Sequence, residues 1–192
     1  GPEPADASQA MAASEDLARQ LGITRDQQDV YALRSHLKAD RARNQRRFVG
    51  EIVPLKLSGD EARDESAGLP DMEDLAALEP FLPPDGTHTS GNTSALQDGA
   101  ALAVIVSGRM HVKLGSPPAL RLLASSSEGV GPGEEARAPV TALQKLLRSC
   151  PGLAREKLDI VEVSETSAAQ ALALRDAFDL DDDRLSPDGG AL

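Results

Sequence analysis

Hydrophobic and polar positions along the chain fall into two rhythms. Helical spacing appears first. Ser14 can cap a short helix that Gly22 ends, and Thr24-Arg25-Asp26-Gln27 has capping-box spacing at the start of a longer one. In that second helix Val30, Leu33 and Leu37 make one apolar stripe, which stops where Arg41 takes the next position. Asp71 to Leu78 reads as a short helix with Met72, Leu75, Ala76 and Leu78 inward. Val140 to Ser149 is amphipathic through Val140, Leu143 and Leu147 and is stopped by Pro151, and Ala168 to Phe178 is a further helix. Dense apolar blocks lie between these segments. Glu51 to Leu57 has strand composition, with Pro54 making it an edge strand or a short one. Ala100 to Ser107 predicts a buried strand, Ala119 to Ser127 an alternating one, and Leu158 to Val163 another. Residues 58–70 read as a mobile loop and Arg109 to Pro118 as a connection. Strands alternating with helices predict an α/β architecture.

Composition narrows this picture. Of 192 residues 40% are apolar but only 2% aromatic, so the core must be built from Leu, Val, Ile and Ala. A net charge of −11 argues against nucleic acid and anionic membranes as partners. Within that acidic chain Arg41, Arg43, Arg46 and Arg47 cluster, as a solvated helix end or a phosphate contact. The single cysteine, Cys150, stands at a helix end before Pro151, can form no internal disulfide and reads as inert. No apolar run is long enough to span a membrane, and the polar start lacks a signal-peptide core, so a cytoplasmic location is expected. The acidic run Asp179 to Asp183 lacks calcium-loop spacing and reads as solvated surface. Gly129 to Gly133 lacks the spacing of a phosphate-binding loop. His36, His88 and His111 have no partners at ligand or triad spacing and read as structural or exposed.

One stretch changes composition abruptly, from Gly86 to Ala100. Small hydroxyl residues and glycine let a ligand approach the backbone, and Asn92, Thr93 and Ser94 can each cap a helical turn. On local chemistry this is an ordinary capped turn or a site for an anion or carbonyl oxygen. Gly91-Asn92-Thr93-Ser94-Ala95-Leu96-Gln97-Asp98-Gly99-Ala100-Ala101 resembles the Gly-Asn-Ala-Ser-Gly-x-Asn-Asp-Gly-Ala-Ala motif of thiolases. Other segments match in the same order. Ser14 to Ala18, Gly22 to Asp29, Tyr31 to His36 and Phe48 to Pro54 resemble the coenzyme-A-binding loop domain of that family. Leu158 to Glu162 leads into the position of its Asn-Glu-Ala-Phe-Ala motif, and Ser186 to Leu192 resembles Asn-Pro-x-Gly-Gly-Ala-Ile.

The resemblance implies a layered αβαβα fold of two similar halves with an inserted loop, or lid, domain, and this chain would hold neither half in full. It divides the chain into a loop domain over 1–90, the last helix and strand of the first half over 91–118, and the opening of the second half over 119–192. Family chemistry condenses two acyl-CoA molecules or cleaves a 3-ketoacyl-CoA, through a nucleophilic cysteine, the histidine of Gly-His-Pro, a second cysteine and an oxyanion hole. None of those cysteines, nor Gly-His-Pro, lies within these 192 residues. The Asn-Glu-Ala-Phe motif reads Ser164-Glu165-Thr166-Ser167, so Ser164 stands at the oxyanion-motif position. Glu135 falls where a Met faces the acyl pocket, and Ala67 where an Arg meets the nucleotide. Met11, Leu82 and Ser94 are the implied coenzyme A contacts, Ser94 toward the pantetheine arm. The CoA thioester is substrate, with no separate cofactor. Partners implied are acyl-CoA or CoA, a second copy in a homo-oligomer, or a complementing thiolase subunit. Three readings remain open: an acyltransferase lacking parts that another stretch or chain supplies, a non-catalytic protein that binds CoA or a partner chain, and a fragment without activity.

Overall fold

The computed structural model describes residues 7–53, 55–57, 60–62 and 69–192. In chain order its helices are α1 (Ala7–Leu21), α2 (Arg25–Asn44), α3 (Met72–Ala76), α4 (Gly108–Lys113), α5 (Ala138–Ser149) and α6 (Ala168–Phe178). The strands β1 (Leu55–Leu57) and β2 (Asp60–Ala62) form an antiparallel pair, with Lys56 opposite Glu61.

The main buried cluster packs around α6. Its N-cap, Ser167, accepts from the Gln170 amide at 3.2 Å, and Asp179 ends it in the left-handed region at φ 49°. From Ala168 to Leu174 every residue is buried. A helix buried on all sides must be thin to let neighbours approach, and four alanines in that run make it so. α1 crosses it through Leu17 and Ala18, α2 through Tyr31, and α5 lays half-buried Val140, Leu143 and Leu147 on the same cluster. Each of Leu172, Leu174 and Phe178 contributes about 1.5–3 kcal/mol by burial.

The capping box at Thr24 forms, with the Thr24 amide donating to Gln27 Oε1 at 2.8 Å. The apolar stripe of α2 is not its inner face, however. Val30 and Leu37 are exposed, whereas Gln28, Asp29, Tyr31, Ala32, Ser35 and Ala42 are buried. Polar groups can occupy an inner face where each finds a partner. Asp29 takes Arg25 at 2.6 Å, Tyr31 and Ser35 both donate to Glu165, and Asp29 also meets Asn92. Within α3 only Leu75 is fully inward, and Ala76 faces solvent.

The strand expectations need correction. Residues 100–106 and 119–127 form no β-ladder among the described residues, and Leu102, Ile105 and Leu120 are 90%, 91% and 103% exposed. A strand exists only by pairing, and no described segment offers an edge to these runs. The segment from Leu158 to Val163 keeps one parallel bridge, Val161 opposite Leu185, with the Val161 amide donating to Arg184 O at 2.9 Å. The connection after Ser107 holds α4, capped by the Ser107 hydroxyl. Pro54, much of the 58–70 loop and Ala67 lie outside the described residues. The two-stranded β1–β2 pair is the only sheet among the described residues. No described helix is long and apolar enough to cross a membrane.

Candidate functional site

Three chain segments meet above the N-terminus of α6. Thr93 forms an antiparallel bridge with Ser167, stitched by the Ser94 amide on Thr166 O (3.2 Å) and the Ala168 amide on Asn92 O (2.9 Å). α1 runs alongside. Between them lies a cavity of about 340 Å³ whose wall includes Met11, Ser14, Thr93, Glu135, Thr166 and Ser167.

Behind that wall stands a chain of polar side chains. Ser14 Oγ lies 2.7 Å from His88 Nε2, and His88 Nδ1 lies 3.0 Å from Glu15 Oε1. Ser14 Oγ is also 2.8 Å from Ser167 Oγ. Glu15 is anchored by the amides of Thr87 (2.7 Å) and His88 (2.8 Å) on Oε1 and by the Thr87 hydroxyl (2.8 Å) on Oε2. Burial pushes the Glu15 carboxyl up, but these hydrogen bonds and the nearby His88 outweigh it and hold the group below its usual range. Burial pushes the His88 imidazole down, against the opposing pull of Glu15. His88 is fully buried and stands neutral at pH 7, its proton on Nδ1 facing the Glu15 carboxylate and its Nε2 left to accept from Ser14.

Two buried anchors hold the surrounding loops. Asn92 Oδ1 accepts from the Thr89 amide (2.8 Å), and its Nδ2 donates to Asp29 Oδ1 (2.8 Å) and Thr87 O (3.0 Å). Glu165, at φ 39°, accepts from Tyr31 Oη (2.6 Å) and Ser35 Oγ (2.8 Å). Burial, then the Glu165 carboxylate, push the Tyr31 phenol up. Gly190 completes that corner, since a Cβ there would lie 2.0 Å from Glu165 Oε2.

Of the residues singled out from sequence, Met11 is in the cavity wall. Thr93 rather than its neighbour Ser94 lines it, and the Ser94 hydroxyl turns to Ala95 O at 3.4 Å. Leu82 is exposed in the loop before Gly86 and does not reach the wall, and Ser164 faces solvent one residue before the buried Glu165. Glu135 reaches the cavity from an exposed position, so the cost of a buried unpaired carboxylate does not arise. The acidic run is only partly surface, because Asp182 pairs with Arg34 and its backbone oxygen takes Lys38 Nζ at 2.5 Å. In the basic cluster Arg47 pairs with Asp188 at 3.1 Å. His111 Nε2 donates to Pro117 O (2.8 Å), away from the cavity. His88 is the residue that linear spacing hides: its partners lie 73 and 74 positions upstream. The available signal was a lone histidine among small hydroxyl residues. Among the described residues no group of three or more His, Cys, Asp or Glu could hold a metal ion.

Comparison with known proteins accounts for this arrangement. Residues 5–109 match the thiolase N-terminal domain and residues 117–192 the thiolase C-terminal domain. The chain is 37% identical over 187 residues to a beta-ketoadipyl-CoA thiolase of Pseudomonas aeruginosa, covering 93% of this chain and 46% of that one. It is 33% identical over 186 residues to an acetyl-CoA acetyltransferase of Allochromatium vinosum, covering 93% and 47%. Among solved structures, the acetyl-CoA acetyltransferase of Bacillus anthracis superposes with TM-score 0.87 at 34% identity, covering 95% of this chain and 48% of that one. Human mitochondrial 3-ketoacyl-CoA thiolase in complex with CoA superposes at 0.88 and 32% identity, covering 95% and 46%. The chain thus spans about half the length of these relatives, 47% of the Allochromatium protein for instance. With both domain models matched in order along almost its whole length, the chain belongs to the thiolase family.

Proposed function

We propose that this chain is an acyl-CoA-handling part of a thiolase-type acyltransferase, with the CoA thioester as substrate and no separate cofactor. The observation that carries the reading is convergence: the Met11 segment, the Gly91–Ser94 motif and the Ser164–Ser167 motif all border the one cavity above α6. Its wall of Met11, Ala10 and Ala136 interrupted by hydroxyls suits a pantetheine arm, an apolar chain carrying amides. The cysteine and Gly-His-Pro chemistry of condensation or thiolysis comes from thiolase sequence outside these 192 residues. That further thiolase polypeptide also covers the exposed runs at 100–106 and 119–124, which present apolar side chains to water.

Calorimetric titration of CoA into the chain tests the binding. A saturable heat at millimolar CoA or below is expected, lost in Thr93→Trp, which fills the cavity, and weakened in Ser94→Trp. No heat in the wild type, or unchanged heat in both variants, refutes the assignment. These 192 residues alone are expected not to thiolyse acetoacetyl-CoA, and acetyl-CoA formed from acetoacetyl-CoA and free CoA, followed by chromatography, reads any such turnover directly.

A further inference from the structure

Ser14, His88 and Glu15 have the connectivity of a nucleophile, its base and the carboxylate that orients the base. Ser14 Oγ faces Nε2 at 2.7 Å, and the opposite ring nitrogen, Nδ1, faces Glu15 at 3.0 Å. Only the serine reaches the cavity wall, while the imidazole and the carboxylate are sealed behind it. That layering is what acyl transfer to a serine requires, since substrate meets the nucleophile and only the proton travels inward.

The neighbouring bonds point every proton the same way. Glu15 has no hydrogen to give, so Nδ1–H donates and Nε2 accepts. Ser14 O–H therefore donates to Nε2. Ser167 then donates to Ser14 Oγ, while its own oxygen accepts from the Gln170 amide at 3.2 Å. Ser167 occupies the position where the family motif carries Phe, so the hydroxyl that completes this relay is a property of this chain. The positive end of the eleven-residue α6 lies beside it and favours negative charge developing at the serine pair.

We propose that Ser14 is a nucleophile for acyl transfer, with His88 as its base and Glu15 as the positioning residue, distinct from the cysteine chemistry of the family. In the first step Ser14 Oγ forms a bond to the carbonyl carbon of an ester or thioester and its proton passes to His88 Nε2. The C–O or C–S bond then breaks, and the leaving oxygen or sulfur takes that proton. In the second step water attacks the acyl-serine and gives a proton to Nε2, which returns it to Ser14 Oγ as the carboxylic acid leaves. The net reaction is hydrolysis of the ester or thioester by one water. A cavity of about 340 Å³ is at the small end of ligand sites, so short acyl groups are the substrates that fit. Acyl-CoA as the natural donor rests on the binding reading above, whereas the serine chemistry does not.

A fluorophosphonate probe separates the two. It forms an Oγ–phosphorus bond with loss of fluoride and needs no CoA site. The folded 192-residue chain is expected to take up one probe, mapped by mass spectrometry to the peptide containing Ser14, and to hydrolyse p-nitrophenyl butyrate. Ser14→Ala, a change a helix tolerates well, abolishes the adduct. His88→Gln slows labelling roughly a hundredfold or more, with circular dichroism checking that both variants keep the wild-type helix signal. Heat-denatured wild type takes up none. No adduct on the folded protein, an adduct mapped to Ser167 or elsewhere, or labelling that survives Ser14→Ala overturns the proposal. Labelling on Ser14 without CoA heat would remove the binding reading alone, and CoA heat without labelling would remove this one alone.

Discussion

Asn92 is the sharpest point at which to test how the site is held. It is fully buried, and its side chain makes three hydrogen bonds across two elements, to the Thr89 amide, Thr87 O and Asp29 Oδ1. Asn92→Ala leaves the Thr89 amide and one oxygen of the Asp29 carboxylate facing no partner in a space closed to water. A buried unsatisfied amide costs about 1–3 kcal/mol and a hydrogen bond to a charged group about 1.5–3, so the loss is about 3–5 kcal/mol. Arg25 still holds the other Asp29 oxygen at 2.6 Å, which keeps the figure from rising further. For a chain of this size that corresponds to a melting temperature lower by roughly 10 °C. Asn92→Asp keeps the acceptor for Thr89 but replaces the donor to Asp29 with a second carboxylate oxygen, close to the 2.8 Å the amide now spans. It is expected to be worse than alanine at pH 7. The repulsion raises the folded pKa of the new carboxyl above its unfolded value, so its extra penalty is absent below about pH 4 and grows as pH rises. Urea unfolding followed by circular dichroism at pH 4 and pH 7 measures both. An alanine cost under about 1 kcal/mol, or an aspartate variant as stable as alanine at pH 7, would refute the account of Asn92 as the donor that clamps the motif to α2.

Two further outcomes follow from the same network. Gly190→Ala puts a Cβ 2.0 Å from Glu165 Oε2 and must move the carboxylate off Tyr31 and Ser35, costing about 2–4 kcal/mol in chemical unfolding. Gly152→Ala, in open space, is the control expected to cost almost nothing. Burial holds the folded pKa of His88 below its ordinary 6.5, so its contribution is fully present above that value and is lost as pH falls toward the folded pKa. The stability gap between wild type and His88→Gln therefore narrows between pH 7.5 and 5, by up to about 1.4 kcal/mol per pH unit, and a gap that widens would contradict a neutral buried imidazole.

Local chemistry was legible where the sequence decides the structure within a few residues. The Thr24 box, the span of α6 and the inward face of α5 are of that kind, because capping and amphipathicity act over one or two turns. What failed was long-range. Val30, Leu33 and Leu37 looked like the inner stripe of α2, but the true inner face is polar, and its partners, Asn92 and Glu165, lie more than 60 residues away. The runs at 100–106 and 119–127 have strand composition, yet composition cannot provide an edge to pair with. Linear spacing leaves His88 without a partner for the same reason that it misplaces the inner face of α2. Ser14 and Glu15 are adjacent in the chain, and only the docking of α1 against the Gly86–Asn92 loop brings the histidine onto both. Of the residues that the family motifs single out, Met11 lines the cavity, and on the Gly91–Ser94 stretch it is Thr93 that lines it and not Ser94.

The two kinds of surface in this molecule explain which part can act alone. Around α6 the accounts balance locally: Asp29, Glu15 and Glu165 are buried and each is met by a donor from another segment, Asn92 supplying the one to Asp29. That network lies among the described residues, behind the cavity and around the Ser14–His88–Glu15 relay. The opposite holds for 100–106 and 119–124, where Leu102, Val104, Ile105, Leu120 and Leu122 each leave about 1.5–3 kcal/mol of burial unrealised. Neither run touches the cavity wall. Covering them by further thiolase polypeptide would therefore drive assembly without assembling the serine site, whereas the cysteine chemistry of the family depends on that added polypeptide. A serine reaction that proceeds in the 192-residue chain and is unchanged when the complement is added is the behaviour this division requires.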